Sequence, residues 1–253
     1  MSTKILFIGD IVGRPGREAC KRWLPGLINQ FSPDLVIANG ENAASGKGIT
    51  QEVADELWAV GIDVLTMGNH VWDNRDIFNF IDKEHRLVRP ANYPEPCPGI
   101  GARVFTANNG YRVGIISLAG RVFMPAIDCP FKAADALIDQ LQGKCETIFI
   151  DFHAEATSEK IALGYYVDGR VGAMVGTHTH VQTADERILT DGTGYITDVG
   201  MTGPLDGVIG VTREQVIEKF ITGRPARFEV MRKGRTQFNA VILELDEQTG
   251  LCR

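Results

Sequence analysis

The sequence predicts an α/β protein with a two-sheet β core flanked by helices, built as a single domain over residues 1–253. Three observations predict it. The first third alternates continuous apolar runs with helical patterns, which is the rhythm of parallel strands buried on both faces. An Asn109-Gly110 pair then separates two further apolar runs and introduces antiparallel pairing. After it, the α/β rhythm resumes. The alternative arrangement is a single doubly wound sheet.

In chain order, the pattern predicts a strand at Lys4 to Ile8, a helix near Gly16 to Gln30, a strand at Leu35 to Ala38, a helix at Gln51 to Val60 and a strand at Val64 to Met67. A helical signal follows at Asp76 to Lys83. The segment Arg89 to Gly99 holds Pro90, Pro94, Pro96 and Pro98, which fit neither a central strand nor a helix interior, so it reads as an irregular crossover loop. The hairpin joins Arg103 to Ala107 with Tyr111 to Leu118. A helix near Ala133 to Gln142, a strand at Thr147 to Phe152, a helix near Ser158 to Tyr165 and a strand at Val171 to Val175 come next. Short strands Arg187 to Leu189 and Gly194 to Thr197 flank Asp191-Gly192. A helix near Arg213 to Ile221 and a terminal hairpin turning at Lys233-Gly234 complete the reading, with no internal repeat and no linker.

Bulk properties narrow the function. An apolar fraction of 44% and a charged fraction of 23% are those of an ordinary globular protein. The five cysteines are odd in number and form no Cys-x-x-Cys pair, so they read as reduced thiols of a cytoplasmic protein rather than a disulfide framework or zinc ribbon. The apolar stretch Ile5 to Ile8 is too short for a signal-peptide core or a membrane span. A formal charge of −6 disfavours long nucleic acid and anionic lipid as partners. A small anionic substrate remains open if bound cations supply local positive charge.

Polar residues cluster directly after the buried strands, where open α/β sheets bind ligands: Gly9-Asp10, Asn39-Gly40-Glu41-Asn42, Gly68-Asn69-His70, Asp151-Phe152-His153 and Gly176-Thr177-His178-Thr179-His180. Of five histidines, only His85 falls outside these segments, and its neighbours Lys83, Glu84 and Arg86 mark a solvated helix end. His178 and His180 are two apart, so in an extended segment both rings face one side and reach a pair of adjacent ions. Singly, each residue has a plainer reading: Asp10 as a cap, Asn42 and Asn69 as turn formers, His153 as a core histidine. Together they form a metal-site pattern.

In that order and strand context, these segments resemble the calcineurin-like metallophosphoesterases, whose pattern is a strand-end Asp, an acidic bridging ligand, Gly-Asn-His, a lone His and His-x-His. Within them the chain is most similar to the bacterial YmdB-like phosphodiesterases. It carries their Gly-Asp-Ile-Val-Gly at 9–13, Gly-Glu-Asn at 40–42, Gly-Asn-His-Val-Trp-Asp at 68–73 and His-Ala-Glu-Ala at 153–156. Two departures from the wider superfamily stand out. The common Asp-x-His is here Asp10-Ile11-Val12, and Asn42 follows the acidic residue Glu41, where its amide oxygen can replace the missing histidine.

The resemblance implies an αββα fold and a dinuclear centre. One ion is then held by Asp10, Glu41, Asn42 and His180, the other by Glu41, Asn69, His153 and His178, with Glu41 bridging. Donors of nitrogen and oxygen without thiolate suit iron or manganese, and are compatible with zinc and cobalt. The implied reaction is hydrolysis of a small phosphodiester, a 2′,3′-cyclic nucleotide in particular, by a metal-bridging hydroxide, with His70 as general acid. Relatives often orient this histidine with the next residue. Here that residue is Val71, and Asp73 or a backbone group takes its place. Arg14, read as part of the loop after the first strand, and the Lys47 loop are candidates for contact with substrate. Glu155 and Glu159 read as a solvated helix start, although Glu155 is close enough to His153 in sequence to support it.

Other motifs fail. Gly46-Lys47 comes one residue late for a phosphate-binding loop opening at Gly40, and Gly48 stands where Ser or Thr is required. Gly9, Gly13 and Gly16 lack dinucleotide-binding spacing, and there is no Gly-x-Ser-x-Gly elbow. The competing functions are a phosphomonoesterase and a regulatory or RNA-associated binding protein with a vestigial metal site. Exposed strand edges and the Pro-rich loop leave room for a homo-oligomer.

Overall fold

The computed structural model describes residues 1–253. The chain runs β1 (Ser2–Ile8), β2 (Asp10–Ile11), α1 (Gly13–Phe31), β3 (Leu35–Asn39), α2 (Gln51–Ala59), β4 (Val64–Thr66) and β5 (Leu87–Val88). It continues β6 (Ala102–Thr106), β7 (Arg112–Ala119), α3 (Pro130–Leu141), β8 (Thr147–His153), α4 (Thr157–Tyr166) and β9 (Ala173–Thr177). The last part is β10 (Arg187–Ile188), β11 (Gly194–Ile196), β12 (Met201–Pro204), α5 (Arg213–Thr222), β13 (Thr236–Gln237) and β14 (Ala240–Asp246).

The strands form two large sheets, ordered β14-β1-β3-β4-β5 and β10-β11-β9-β8-β7-β6, with a small sheet β13-β12-β2 at one end. Period-two alternation explains why the sheets stack. In β1, Ile5 and Phe7 point into the space between the sheets, while Leu6 and Ile8 point towards α1 and α2. Phe149 of β8 also faces the space between the sheets, and its ring centroid lies 5.3 Å from that of Phe7. Its neighbours Ile148, Ile150 and Phe152 face the other way, into a layer with Ala134 and Ile138 of α3 and Leu163 of α4. Each such side chain fully buried contributes about 1.5–3 kcal/mol, so the three layers are held together by the apolar strands themselves.

The result is the two-sheet core flanked by helices expected from sequence. It is not a single doubly wound sheet. The predicted hairpin is present, with β6 and β7 antiparallel and Gly110 at φ +87° in the turn. The crossover at Arg89 to Gly99 is irregular, as its prolines require. No helix is long and apolar enough to cross a membrane.

Three expectations are corrected. Asp76 to Lys83 forms only one short 3₁₀ segment, Arg75–Asn79, followed by turns. The Asn74 side chain accepts from the Asp76 amide, and the Asp76 carboxylate accepts from the amide of Gln51 and from the Asn79 side chain. The two local bonds compete with a regular helix ladder, and the third, from Gln51, ties the segment to the start of α2. The terminal segment bends at Lys233-Gly234 but does not fold on itself, because each arm finds a better partner elsewhere. β14 pairs with β1 over seven residues, and β13 pairs with β12. The strand expected at Val171 to Val175 is shifted to Ala173–Thr177, and the small sheet joining β2 to β12 was not foreseen.

Candidate metal centre

The C-terminal ends of strands from both large sheets converge on one cavity. Asp10 begins β2, Glu41 and Asn42 follow β3, Asn69 and His70 follow β4, His153 ends β8, and His178 and His180 follow β9. The cavity measures about 780 Å³ and is lined by Glu41, Asn42, His70, His178 and His180, with Lys47 and Phe228 on its walls. Backbone must come close for the groups to meet. A Cβ added to Gly68 would lie 2.3 Å from Glu41 Oε2 and 2.4 Å from His153 Nε2, and one added to Gly176 would lie 1.8 Å from Thr197 O, so these two positions exclude any side chain.

His153 is the hub. Its Nε2 lies 3.0 Å from Glu41 Oε1, 3.1 Å from Asn69 Oδ1 and 2.9 Å from His178 Nδ1. Its Nδ1 lies 2.9 Å from Thr177 Oγ1, whose hydroxyl donates to Asp151 Oδ1 at 2.7 Å. That hydroxyl therefore accepts from His153 Nδ1–H, which fixes the ring orientation. Asp151 also accepts from Asn39 Nδ2 at 3.0 Å and from the Thr66 hydroxyl, both on the opposite sheet. The other two histidines are held in the same manner. His178 Nε2 lies 3.1 Å from Glu155 Oε2, and His180 Nδ1 donates to the Ile209 carbonyl at 2.9 Å. Each ring is held from outside and presents its remaining nitrogen inward.

The electrostatics follow from burial and proximity. Burial alone would depress the His153 imidazolium, but Glu41, Asp10 and Asp151 outweigh it and raise its pKa to about 9. Burial would raise Glu41, yet the charge and hydrogen bond of His153, with a further contribution from His70, hold it well below the usual carboxylate range. Asp10, with no hydrogen bond to Oδ1, is raised by burial to about 6 despite His180 and His153. His178 is lowered to about 3 by burial and by the neighbouring His153 charge.

The arrangement fits a bound cation. Ligand atoms of Glu41, His153 and His178 lie within 4.8 Å of one another. Asp10 Oδ1 is buried with no hydrogen-bond partner, a costly state for a carboxylate unless a cation shares the site. It lies 3.8 Å from His153 Nδ1 and 4.0 Å from His180 Nε2. Asn42 presents its amide nitrogen inward, to Glu41 Oε1 at 3.0 Å and His180 Nε2 at 3.3 Å. Serving as an oxygen donor requires that amide to turn over, a change that preserves its shape.

Beside the cluster, His70 donates its backbone N–H to Glu41 Oε2 at 3.0 Å, and its Nδ1 lies 2.9 Å from Asp73 Oδ2. Of the two alternatives, the Asp73 carboxylate is the group in contact with His70 Nδ1. Several sequence expectations are corrected. His178 and His180 do not lie on an extended segment: their φ angles are +105° and +67°, in the left-handed region. Glu155 contacts His178 rather than His153. Arg14 belongs to the first turn of α1, pairs with Glu18 at 2.6 Å and lies outside this cavity. His85 lies on the surface beside Arg103, as expected.

The sequence reading missed Thr177, Asp151, Asp198 and Lys160. The first two orient His153. Asp198 accepts from both the backbone N–H and the hydroxyl of Thr179, between the two strained histidines, and Lys160 donates to Asp198. The available signal was the pair of threonines interleaved with the histidines at 176–180.

The whole chain is similar to known proteins. A 2′,3′-cyclic-nucleotide 2′-phosphodiesterase of Bacillus subtilis (strain 168) is 54% identical over 246 residues, spanning 97% of this chain and 92% of that one. A crystal structure described as a novel phosphatase from Mycoplasma pneumoniae superposes with a TM-score of 0.93 at 39% identity, covering 100% of this chain and 91% of that one. A hypothetical protein from Thermus thermophilus superposes with a TM-score of 0.91 at 41% identity, over 99% and 96% of the two chains. A family model described as YmdB-like protein matches residues 6–253. With motifs, fold and whole-length similarity in agreement, the chain belongs to the YmdB-like family.

Proposed function

We propose that this protein is a metal-dependent phosphodiesterase that opens 2′,3′-cyclic nucleotides, with His70 as the general acid. The observation that carries the proposal is the buried donor cluster in which Asp10 Oδ1 has no partner while Glu41, Asn69, His153 and His178 crowd one point. Support for the substrate comes from the Bacillus subtilis relative, which is named for that reaction.

Two ions fit the donor set. One would be held by Asp10, Glu41, Asn42 and His180, the other by Glu41, Asn69, His153 and His178. Bound there, the ions would polarise the phosphoryl oxygens and stabilise the charge that develops on them. The absence of thiolate donors favours iron or manganese. Asp10 and Glu41 are the only carboxylates among the proposed ligands, so two divalent ions leave the pocket net positive. This reconciles an anionic substrate with a chain of net charge −6.

The remaining work falls to the chain's own residues. Asp73 anchors His70 Nδ1, which leaves Nε2 to carry the proton needed by the departing 2′ oxygen. A water oxygen would form a new bond to phosphorus as the P–O2′ bond breaks, the proton on Nε2 passes to O2′, and the phosphate stays on O3′. Lys47 stands in the cavity wall, 3.9 Å from Asp73, and adds positive charge at the entrance. The five cysteines are free thiols, in keeping with a reducing, cytoplasmic setting.

The test is metal analysis of the purified protein with hydrolysis of adenosine 2′,3′-cyclic phosphate before and after chelation and reconstitution with manganese or iron. About two ions per chain and metal-restored opening to the 3′-phosphate are expected. Bis-p-nitrophenyl phosphate should be preferred over p-nitrophenyl phosphate. Preference for the monoester, or turnover indifferent to metal, would overturn the proposal.

A further inference from the structure

Beside the metal cavity lies a second, basic groove of about 620 Å³, and the two are continuous: Ser45, Arg227, Phe228 and Val230 line both. Arg14, Arg17 and Arg232 complete its charged wall, against the carboxylates of Glu18 and Glu229. Those charges are not equally committed. Arg14 pairs with Glu18, and Arg17 is fixed by Glu56 at 2.7 Å and the Ala43 carbonyl at 2.8 Å. Arg227 and Arg232 make no hydrogen bond or ion pair to any protein group. Two free guanidiniums facing one groove, in a chain of net charge −6, are a local departure from its overall charge.

The groove is built rather than incidental. The Val230 side chain packs against Gly13 and Gly46, both at positive φ, where an added Cβ would lie 3.1 Å and 2.6 Å from its methyl groups. Val230 bridges to Val211, the Thr212 amide donates to the Glu229 carbonyl, and the Met231 amide donates to the Gly210 carbonyl. The segment bearing Arg227, Phe228 and Arg232 is therefore pinned both to the start of α1 and to the loop that holds His180 through Ile209. Phe228 sits at the junction of the two cavities, 42% exposed, with Lys219 4.8 Å from its ring centroid.

Guanidiniums bind phosphate through paired N–H donors, and an exposed aromatic ring stacks on any base without selecting its sequence. We propose that this groove is a second-phosphate subsite. It takes the phosphate on the 5′ oxygen of the nucleoside whose 2′,3′-cyclic phosphate occupies the metal cavity, so the preferred substrate carries two phosphates rather than one. This rests on the phosphodiesterase reading of the metal cavity. Such a phosphate comes from two sources, a terminal 5′-phosphate or the internucleotide linkage of an oligonucleotide end. In the second case the preceding base reaches Phe228. The chain's net charge of −6 still disfavours long nucleic acid.

Binding tests the subsite without turnover. On the metal-loaded protein, adenosine 3′,5′-bisphosphate should bind about tenfold more tightly than adenosine 3′-phosphate, as one charge-assisted phosphate contact implies. The excess should weaken with salt, with a log–log slope steeper by about 0.7. In Arg227→Ala/Arg232→Ala the ratio of the two affinities should fall to near one. Equal affinities in the unsubstituted protein, no measurable binding of the bisphosphate, or a ratio untouched by the double substitution would overturn the proposal.

Turnover then identifies the source. A kcat/KM for ApA ending in a 2′,3′-cyclic phosphate that exceeds that for 5′-phosphoadenosine 2′,3′-cyclic phosphate, with the excess lost in Phe228→Ala, assigns the internucleotide phosphate. Equal values assign the terminal phosphate. A bisphosphate preference without hydrolysis of any cyclic nucleotide would leave the subsite standing and remove the phosphodiesterase reading instead.

Discussion

Lys160 Nζ donates to Asp198 Oδ2 at 2.6 Å, and neither side chain is exposed to solvent. The same Oδ2 accepts from the Thr179 backbone N–H at 3.0 Å and its hydroxyl at 2.7 Å, and Oδ1 accepts from the Gly200 N–H at 2.8 Å. Thr179 separates His178 and His180, whose left-handed backbone angles carry a cost of order 1–3 kcal/mol each. A buried ion pair behind the loop thus holds two strained histidines in place. Lys160→Met leaves Asp198 buried and unpaired, a change expected to cost about 3–5 kcal/mol. Thermal unfolding should show it as a fall in Tm of roughly 6–20 °C. A melting point within two degrees of the unsubstituted protein (roughly 0.5–1 kcal/mol at this size) would mean that the pair does not carry the loop.

Metal uptake should release a proton from His153. In the metal-free protein its pKa is raised from 6.5 to about 9, so at pH 7 the ring is protonated and cannot act as a ligand. The sign follows: metal and proton compete, so affinity falls with decreasing pH and rises as pH climbs towards about 9. One released proton corresponds to about one decade of affinity per pH unit. Below about 6, where Asp10 is also protonated, the dependence steepens. The same raised pKa stabilises the metal-free fold fully below 6.5, and that contribution is lost as pH rises through about 9. Calorimetric titration at pH 7 in two buffers of different ionisation enthalpy measures the released proton directly, and a buffer-independent heat would contradict the assignment.

Thr177→Val removes the hydroxyl that receives His153 Nδ1–H while keeping the side chain's shape and burial. The ring then loses the partner that aims its Nε2 at Glu41 and Asn69, and Asp151 loses one of its donors. Loss of such an orienting partner typically lowers metal affinity or activity by about 10- to 100-fold. Metal affinity measured by competition with a chelator should fall in that range, with far-ultraviolet circular dichroism unchanged. An affinity within twofold of the original would show that Thr177 serves packing alone.

Much of the molecule was legible from one-dimensional information, for identifiable reasons. Leu35 to Asn39 and Ala173 to Thr177 are buried along their whole length, so their apolar runs announce parallel strands covered on both faces. Glu41 and His178 follow those two runs, and Asp10, Asn69 and His153 lie in the same way at the ends of β1, β4 and β8, where side chains turn from core to cavity. What escaped is set by contacts distant in sequence. Lys160 and Asp198 are 38 residues apart, and Asp151 meets Asn39 across 112 residues. Nothing local in the chain marks either pair. The terminal hairpin was misread for the same cause: Lys233-Gly234 has turn chemistry, but β14 is claimed by β1, more than two hundred residues away.

The division of labour between His70 and Asp73 is separable. His70 contributes only its backbone N–H to Glu41, a contact that survives side-chain removal, so His70→Ala should retain both metals. Turnover of adenosine 2′,3′-cyclic phosphate should fall by about 10²- to 10⁴-fold, the usual worth of a general acid. The loss should be smaller for a substrate with a p-nitrophenolate leaving group, which departs without needing a proton. Asp73→Asn keeps an acceptor near Nδ1 but removes its charge, so it should cause a smaller fall in kcat with KM little changed. If His70→Ala reduced both substrates equally with metal content intact, the proton would be delivered by another group, and Lys47, in the cavity wall 3.9 Å from Asp73, is a candidate.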